Sequence, residues 1–327
     1  MIRNRPIIFS THPLHPDVTR ALQELGAYRV ASEPIPKAIV AESGGASIIV
    51  VRAQIPPEVV RRESGLIGLV RHGAGLDMIP VDVATECGVL VANVPGANAR
   101  TVAEHAIWSA SALLRRYPLV AADLRSEGWE AGRRHSDQGR ELGGKTLGIV
   151  GLGAIGQQVA RIAQAGFGMD VIAYTRTPDP DGIECVALPE LLSRSDIVVL
   201  CCPLTEQTRG LLNKAAFDAM KTAAILVNVS RGPIVVESAL LSALDSGHLS
   251  GAALDVFETQ PLARDHPLLG WNNVILTPHM AGITEESMLR MGQGVAAHTR
   301  SILAGEAPKT LVNPDALPLF RKRRSQP

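Results

Sequence analysis

An α/β chain of two units, each wound on a parallel sheet, is the fold class this sequence predicts. Three observations predict it. The chain has 327 residues, too many for one ordinary hydrophobic core. Short apolar runs alternate with helix-like patterns from end to end, as they do where crossover helices join parallel strands. A polar, glycine-rich stretch over 125–144 divides the alternation into two series.

The first series has strand candidates at Pro6–Phe9, Ile48–Val51, Leu66–Val70 and Val89–Ala92, with helix-like Asp17–Leu25 and Pro57–Glu63 between them. NARTVAEHAIWSASALLRR, 98–116, has the apolar spacing of a long buried helix. Asn98 or Thr101 could cap it, and Glu104 follows Thr101 at capping-box spacing. The second series starts at Lys145. Its strands are TLGIVG (146–151), DVIAYT (170–175), IVVLCC (197–202), AAILVNVS (223–230), GAALDVF (251–257) and NVILTP (273–278). Six such strands suggest a doubly wound sheet. A helix pattern follows at 284–304, and APKTLVNP after it is expected to return to the first unit. The domains expected are 1–98 with 300–327, and 99–299.

Composition narrows the function. Apolar residues make up 46% and charged residues 20%, a soluble globular balance. Basic and acidic residues balance at 32 each, which argues against nucleic acid or an anionic membrane as partner. RKRR at 321–324 is expected to be a solvated tail. Cys87, Cys185, Cys201 and Cys202 form no CxxC and suit buried free thiols in a reducing compartment. No apolar run approaches the roughly 18 residues of a membrane span, and MIRNRPIIFS is too short for a signal peptide. A cytoplasmic protein is expected. HxxH at His12 and His15 has metal-like spacing, but the flanking prolines oppose the helix that would align the pair, so no metal is expected.

GLGAIG, 151–156, matches GxGxxG, directly after one strand and opening a helix. In that context it predicts a dinucleotide site. Gly151 would make the tight turn, Gly153 would let the backbone approach a pyrophosphate, and Gly156 would let helix and strand pack closely. The next strand should end in an acid for the ribose of NAD. Here Thr175, Arg176 and Thr177 stand at that place. A cation and two hydroxyls suit a 2′-phosphate, so NADP is expected over NAD.

With HGAGLD (72–77), NARTVAE (98–104), GLGAIG, CCPLTEQTRGLLN (201–213), NVSRGPIV (228–235), LDVFETQP (254–261) and TPHMAG (277–282), the chain resembles the D-isomer-specific 2-hydroxyacid dehydrogenase family over nearly its whole length. The resemblance implies two Rossmann- or flavodoxin-like domains with an interdomain active-site cleft, and a homodimer. It implies interconversion of a small 2-oxo acid, of the glyoxylate or hydroxypyruvate type, with its D-2-hydroxy acid. Reduction needs a hydride, a proton for the emerging alkoxide and a cation for the carboxylate. The resemblance gives Arg231 the carboxylate and carbonyl, and His279 the proton. It adds Arg52 and the backbone of Ala74 and Gly75 at the substrate. At the cofactor it implies Thr101, Ala154, Ile155, Cys202, Pro203, Thr208, Val229, Ser230, Asp255, His279, Ala281 and Gly282 beside the glycine loop and Thr175–Thr177.

Gln260 departs from the family, which usually has a glutamate there to orient the histidine. An amide can orient the imidazole but supplies no charge. Glu258, two residues earlier and on the same face of an extended segment, is an alternative partner for His279. The related formate dehydrogenases also pair a glutamine with their histidine. Other readings stay open. Arg52, Arg71 and the 133–135 cluster could serve a phosphoglycerate- or sulfolactate-type substrate. The same 132–137 stretch could reach a partner subunit. A dinucleotide-sensing protein with weak catalysis would also fit the missing glutamate.

Overall fold

The computed structural model describes residues 5–176 and 182–325. It resolves into two compact units, Met1–Asn98 with Ile283–Pro327, and Ala99–Gly282.

The first unit opens with β1 (Ile7–Ser10), α1 (Pro16–Leu25), β2 (Ala27–Val30), α2 (Pro36–Glu42), β3 (Ala46–Val51), α3 (Pro57–Arg62), β4 (Gly68–Arg71), α4 (Val81–Glu86) and β5 (Leu90–Ala92). The second runs α5 (Ala99–Leu114), α6 (Tyr117–Ser126), α7 (Trp129–Arg133), β6 (Thr146–Val150), α8 (Ala154–Phe167), β7 (Asp170–Tyr174), β8 (Glu184–Cys185), α9 (Leu188–Arg194), β9 (Ile197–Leu200), α10 (Lys214–Asp218), β10 (Ala224–Asn228), α11 (Glu237–Asp245), β11 (Leu249–Leu254) and β12 (Val274–Leu276). α12 (Glu285–Ala304) and α13 (Leu317–Ser325) then complete the first unit.

Both sheets are parallel, ordered β2-β1-β3-β4-β5 and β12-β11-β10-β9-β6-β7-β8. Strand alternation divides each core in two. Ile49, Val51 and Leu69 face one apolar cluster, while Ile48, Val50 and Val70 face the other. In the second unit Ile149 and Val199 lie opposite Val150 and Val198 in the same way. Strands buried on both faces must be apolar throughout, which is why β3, β6, β9 and β10 were legible. The edge strands β2 and β8 were not. β2 is half-exposed to exposed, and β8 is two exposed residues.

Three expectations change. The boundary at residue 300 moves to 283, because α12 packs within the first unit. A Cβ on Gly292 would lie 2.3 Å from Val18, and one on Gly68 would meet Ile302 at 3.0 Å. Bare glycines there let α12 approach α1 and β4. Second, α5 begins at Ala99, so Thr101 lies inside the helix, and Glu104 pairs with Arg100 at 2.7 Å instead of closing a capping box. Third, the basic run at the C-terminal end is not simply solvated. Arg323 donates to Cys87 O at 2.6 Å, to Leu66 O at 2.9 Å and to Ser64 O. Arg324 donates to Leu303 O at 3.0 Å. The expected return after α12 is made by Asn313, whose carboxamide accepts from Val91 N at 2.8 Å and donates to Val89 O at 3.0 Å.

Among the described residues, no helix is long and apolar enough to cross a membrane. Arg323→Ala should lower stability in denaturant unfolding by about 1–3 kcal/mol, since it strips charged donors from carbonyls of the first unit. Arg321→Ala, at an exposed neighbour, should stay within about 0.5 kcal/mol of the parent.

Candidate active site

The candidate residues collect at the carboxyl ends of the strands, in one group per unit. Where strand order reverses, those ends diverge and leave room for a ligand. In the first sheet β1 is flanked by β2 and β3, so the reversal falls between β1 and β3. Arg52 follows β3 directly. Thr11, just past β1, fixes it: its hydroxyl accepts from Arg52 N at 2.8 Å and Ala53 N at 3.1 Å. The same oxygen lies 3.2 Å from His12 Nδ1. With two N–H groups already donating to it, Thr11 turns its own proton to His12.

Burial, then the charges of Arg52 and Arg71, lower the His12 pKa to about 4. The same causes in the same order lower that of buried His72 to about 4. Both rings are therefore neutral near pH 7 and compete with neither arginine for an anion. The HxxH pair is divided in its roles, since His15 caps α1 by accepting from Asp17 N at 3.2 Å. Arg52 Nη1 reaches Pro13 O at 3.1 Å. Arg71 is turned to backbone: Nε meets Gly75 O at 3.0 Å, and Nη1 meets Val51 O at 3.0 Å and His72 O at 2.8 Å. Ala74 is exposed and Gly75 half-buried.

In the second sheet the reversal falls between β6 and β9, and there the structure has a cavity of about 290 Å³. Gly151, Gly153, Thr175, Arg176, Cys202, Pro203 and Thr208 line it, with Gln207, which sequence reasoning missed. Gly151 has φ 97°, and a Cβ on it would come within 2.6 Å of Cys202 N. A Cβ on Gly156 would strike Gly151 O at 2.3 Å. Gly153 differs from both. It is the N-cap of α8 without a side-chain cap bond, and a Cβ there would meet nothing within 4 Å. An uncapped helix start facing open space is a cradle for phosphate, so the loop fits a dinucleotide. Arg176 is exposed, and Thr177 lies outside the described residues. Burial pushes the Cys202 thiol up to about 11, so it is no thiolate near neutral pH.

The other expected cofactor residues divide by burial. Val229 and Ala281 belong to the core cluster, and Ile155 packs against it. Thr101 and Ser230 are buried, Ala154 is exposed and Gly282 half-buried. The Ser230 hydroxyl donates to Cys202 O, joining the ends of β10 and β9.

Arg231 follows β10 and donates through Nη1 to Ser230 O at 2.7 Å. Its loop is fixed by Asn228, which was not foreseen as functional. The buried Asn228 carboxamide accepts from Ser230 N at 3.0 Å and donates to Arg231 O at 3.1 Å. Its signal was a polar residue inside the apolar run AAILVNVS. Asp255 is 3% exposed. Its carboxylate accepts from Thr277 Oγ1 at 2.7 Å, Met280 N at 2.7 Å and Ala281 N at 2.9 Å. Its main-chain oxygen accepts from His279 N at 2.8 Å. This ring of acceptors holds His279 at φ 54°, a left-handed turn that points the residue outward. His279 is exposed, and its Nδ1 lies 3.4 Å from Gln260 Oε1, a long hydrogen bond. Gln260, not Glu258, is thus the group brought to the ring. In the 132–137 cluster, His135 meets Asp123 at 2.7 Å, and Arg134 meets Asp123 at 3.2 Å and Glu127 at 3.1 Å. Much of that positive charge is therefore balanced locally.

Three kinds of similarity bear on this geometry. Residues 107–281 match the family model described as D-isomer specific 2-hydroxyacid dehydrogenase, NAD binding domain. A D-3-phosphoglycerate dehydrogenase of Methanocaldococcus jannaschii is 37% identical over 98% of this chain and 62% of its own length. A glyoxylate reductase of Korarchaeum cryptofilum is 38% identical over 90% of this chain and 91% of its own. Among solved structures, an NADPH-dependent glyoxylate/hydroxypyruvate reductase from Sinorhizobium meliloti, in complex with NADP and malonate, superposes with a TM-score of 0.83. It is 29% identical and is covered over 96% of this chain and 98% of its own. The chain spans less than two thirds of the length of the phosphoglycerate dehydrogenases it matches.

Gly153→Val should fold normally, because the added side chain meets open space, yet raise the dissociation constant for NADPH about tenfold or more. Fluorescence titration and thermal unfolding measured together would check both halves.

Proposed function

The chain belongs to the D-isomer specific 2-hydroxyacid dehydrogenases, and on that premise we propose that it interconverts a small 2-oxo acid and its D-2-hydroxy acid. A glyoxylate- or hydroxypyruvate-type substrate is favoured, with NADP(H) preferred over NAD(H). The observation that carries this reading is the left-handed turn that directs His279 outward beside Gln260.

The dinucleotide, when bound, supplies or accepts the hydride. The chain's own residues do the rest. In the second unit, the planar guanidinium of Arg231 pairs with carboxylate and carbonyl oxygen. During reduction His279, as imidazolium, donates its proton to the carbonyl oxygen that becomes the alkoxide. In oxidation the neutral ring takes it back. The Gln260 oxygen can only accept a hydrogen bond, so this contact holds the proton on Nδ1 and leaves Nε2 to face substrate. In the first unit, Arg52 and the amides of Ala74 and Gly75 serve the substrate's anionic end. The NADP preference rests on Thr175 and Arg176 at the cavity, where no acid stands among the described lining residues. A homodimer is part of the proposal. In its favour, Trp108, Tyr117 and Trp129 on α5–α7 are 53%, 55% and 69% exposed, and aromatic residues are enriched at interfaces.

Steady-state oxidation of NADPH and NADH with glyoxylate, hydroxypyruvate, pyruvate, sulfopyruvate and phosphohydroxypyruvate tests the reading. Turnover favouring NADPH is expected, and Arg176→Asp should cut that preference by about tenfold or more. Absence of turnover with every acid, despite tight NADPH binding, would leave a dinucleotide sensor in its place.

Gln260→Glu tests the pairing. A carboxylate against the ring favours the imidazolium. Reduction requires the imidazolium, so the alkaline limb of its pH profile should move to higher pH. An unmoved profile would mean that residue 260 does not act on His279.

A further inference from the structure

We propose that Arg71 is a positioning residue for the substrate carboxylate: it holds the carbonyls of His72 and Gly75, at the two ends of the 72–75 loop, so that the amides of Ala74 and Gly75 face outward, and does not itself bind substrate charge. This rests on the function proposed above.

The carbonyls of the loop are taken one by one. His72 O accepts from Arg71 Nη1 at 2.8 Å and Gly75 O from Arg71 Nε at 3.0 Å. Gly73 O accepts from Val94 N at 2.8 Å. Ala74 O accepts from Asn93 Nδ2 at 2.8 Å. All four acceptors from 72 to 75 are thus held by the unit's own donors. Among the described residues, the N–H groups of Ala74 and Gly75 make no hydrogen bond. With its carbonyls all held by internal donors, the loop has these two amides left to take an anion.

The guanidinium is also the hub of the loop's shape. Gly73 has φ 137°, and a Cβ on it would sit 3.5 Å from Arg71 Cζ, so the loop folds over the guanidinium. A third donor contact, Nη1 to Val51 O at 3.0 Å, anchors the hub to the end of β3, next to Arg52. Only a rigid planar fork reaches Val51 O, His72 O and Gly75 O together. An ammonium is a single point of charge on a flexible stem.

This divides the two arginines. Arg52 is the one left to meet an anion directly, while Arg71 acts through the amides. A carboxylate grip built this way is common to every 2-oxo acid, so losing it should weaken all of them alike. A direct salt bridge to a second anionic group should affect only substrates that carry one.

Steady-state kinetics of Arg71→Lys, Arg71→Met and Asn93→Leu, with glyoxylate, hydroxypyruvate and phosphohydroxypyruvate, decide between these. The Arg71 variants should raise KM for all three acids by a similar factor, about 10- to 100-fold, with the KM for NADPH unchanged. Arg71→Lys should not rescue, although it keeps the charge. Asn93→Leu removes a different donor and no charge, and should give the same pattern at roughly 3- to 10-fold. A loss confined to phosphohydroxypyruvate in the Arg71 variants would overturn the proposal, as would rescue by lysine. If the Arg71 variants fail to fold, Asn93→Leu decides, and an unchanged KM there overturns it. Wild-type protein that turns over none of the acids would bring down the proposed function, and this inference with it.

Discussion

Where a parallel strand ends, its last peptide groups lose their neighbours, and something must satisfy them before the chain can turn away. Both units of this protein meet that demand with a polar side chain set beside the strand end. Thr11 serves β1 and β3, Arg71 serves β3 and β4, Asn228 serves β10, and Asp255 serves β11 and β12. The rest of the candidate site follows from this. A clamp that gathers one kind of backbone group leaves the opposite kind, or the next side chain, facing outward.

The sign of each clamp decides what it presents. Asp255 is an acceptor, so it collects N–H groups and forces the chain at His279 into a left-handed turn. Arg71 is a donor, so it collects carbonyls and leaves amides. Asn228 carries both and fixes the loop of Arg231 from each side. The resemblance set Asp255 at the cofactor. Its carboxylate carries three hydrogen bonds from residues 277–281, so holding the turn of His279 is work it already does. Neutral His12 and His72 leave the positive field of the first group to its arginines.

In the proposed site, Gln260 keeps the contact to His279 while changing its charge. The carboxamide reaches His279 as the family's glutamate would, but without a negative partner for the imidazolium. Glu258 is close in sequence yet does not substitute, because the segment directs residue 260 to the ring.

Much of this was written in local pattern. Strands buried on both faces and the glycine loop after β6 could be read directly, because period, turn chemistry and spacing are properties of neighbouring residues, whereas Arg231 and His279 were named only by the family resemblance. Edge strands β2 and β8 could not, since they bury little and leave little apolar pattern. The place of α12 and the contacts of Arg323 were equally hidden. They depend on glycines at 68 and 292 and on carbonyls as far away as Cys87, 236 residues from Arg323 in sequence. The sequence by itself determined the fold class and the dinucleotide loop, and its family resemblance named the candidate reacting groups. Only the tertiary structure decided that Arg71 turns inward to backbone, that Asp255 holds a turn, and that Gln260 stands where Glu258 does not. The reason is physical: a polar side chain bonds whichever unsatisfied group the fold brings within 3 Å or so, and that group is set by distant chain.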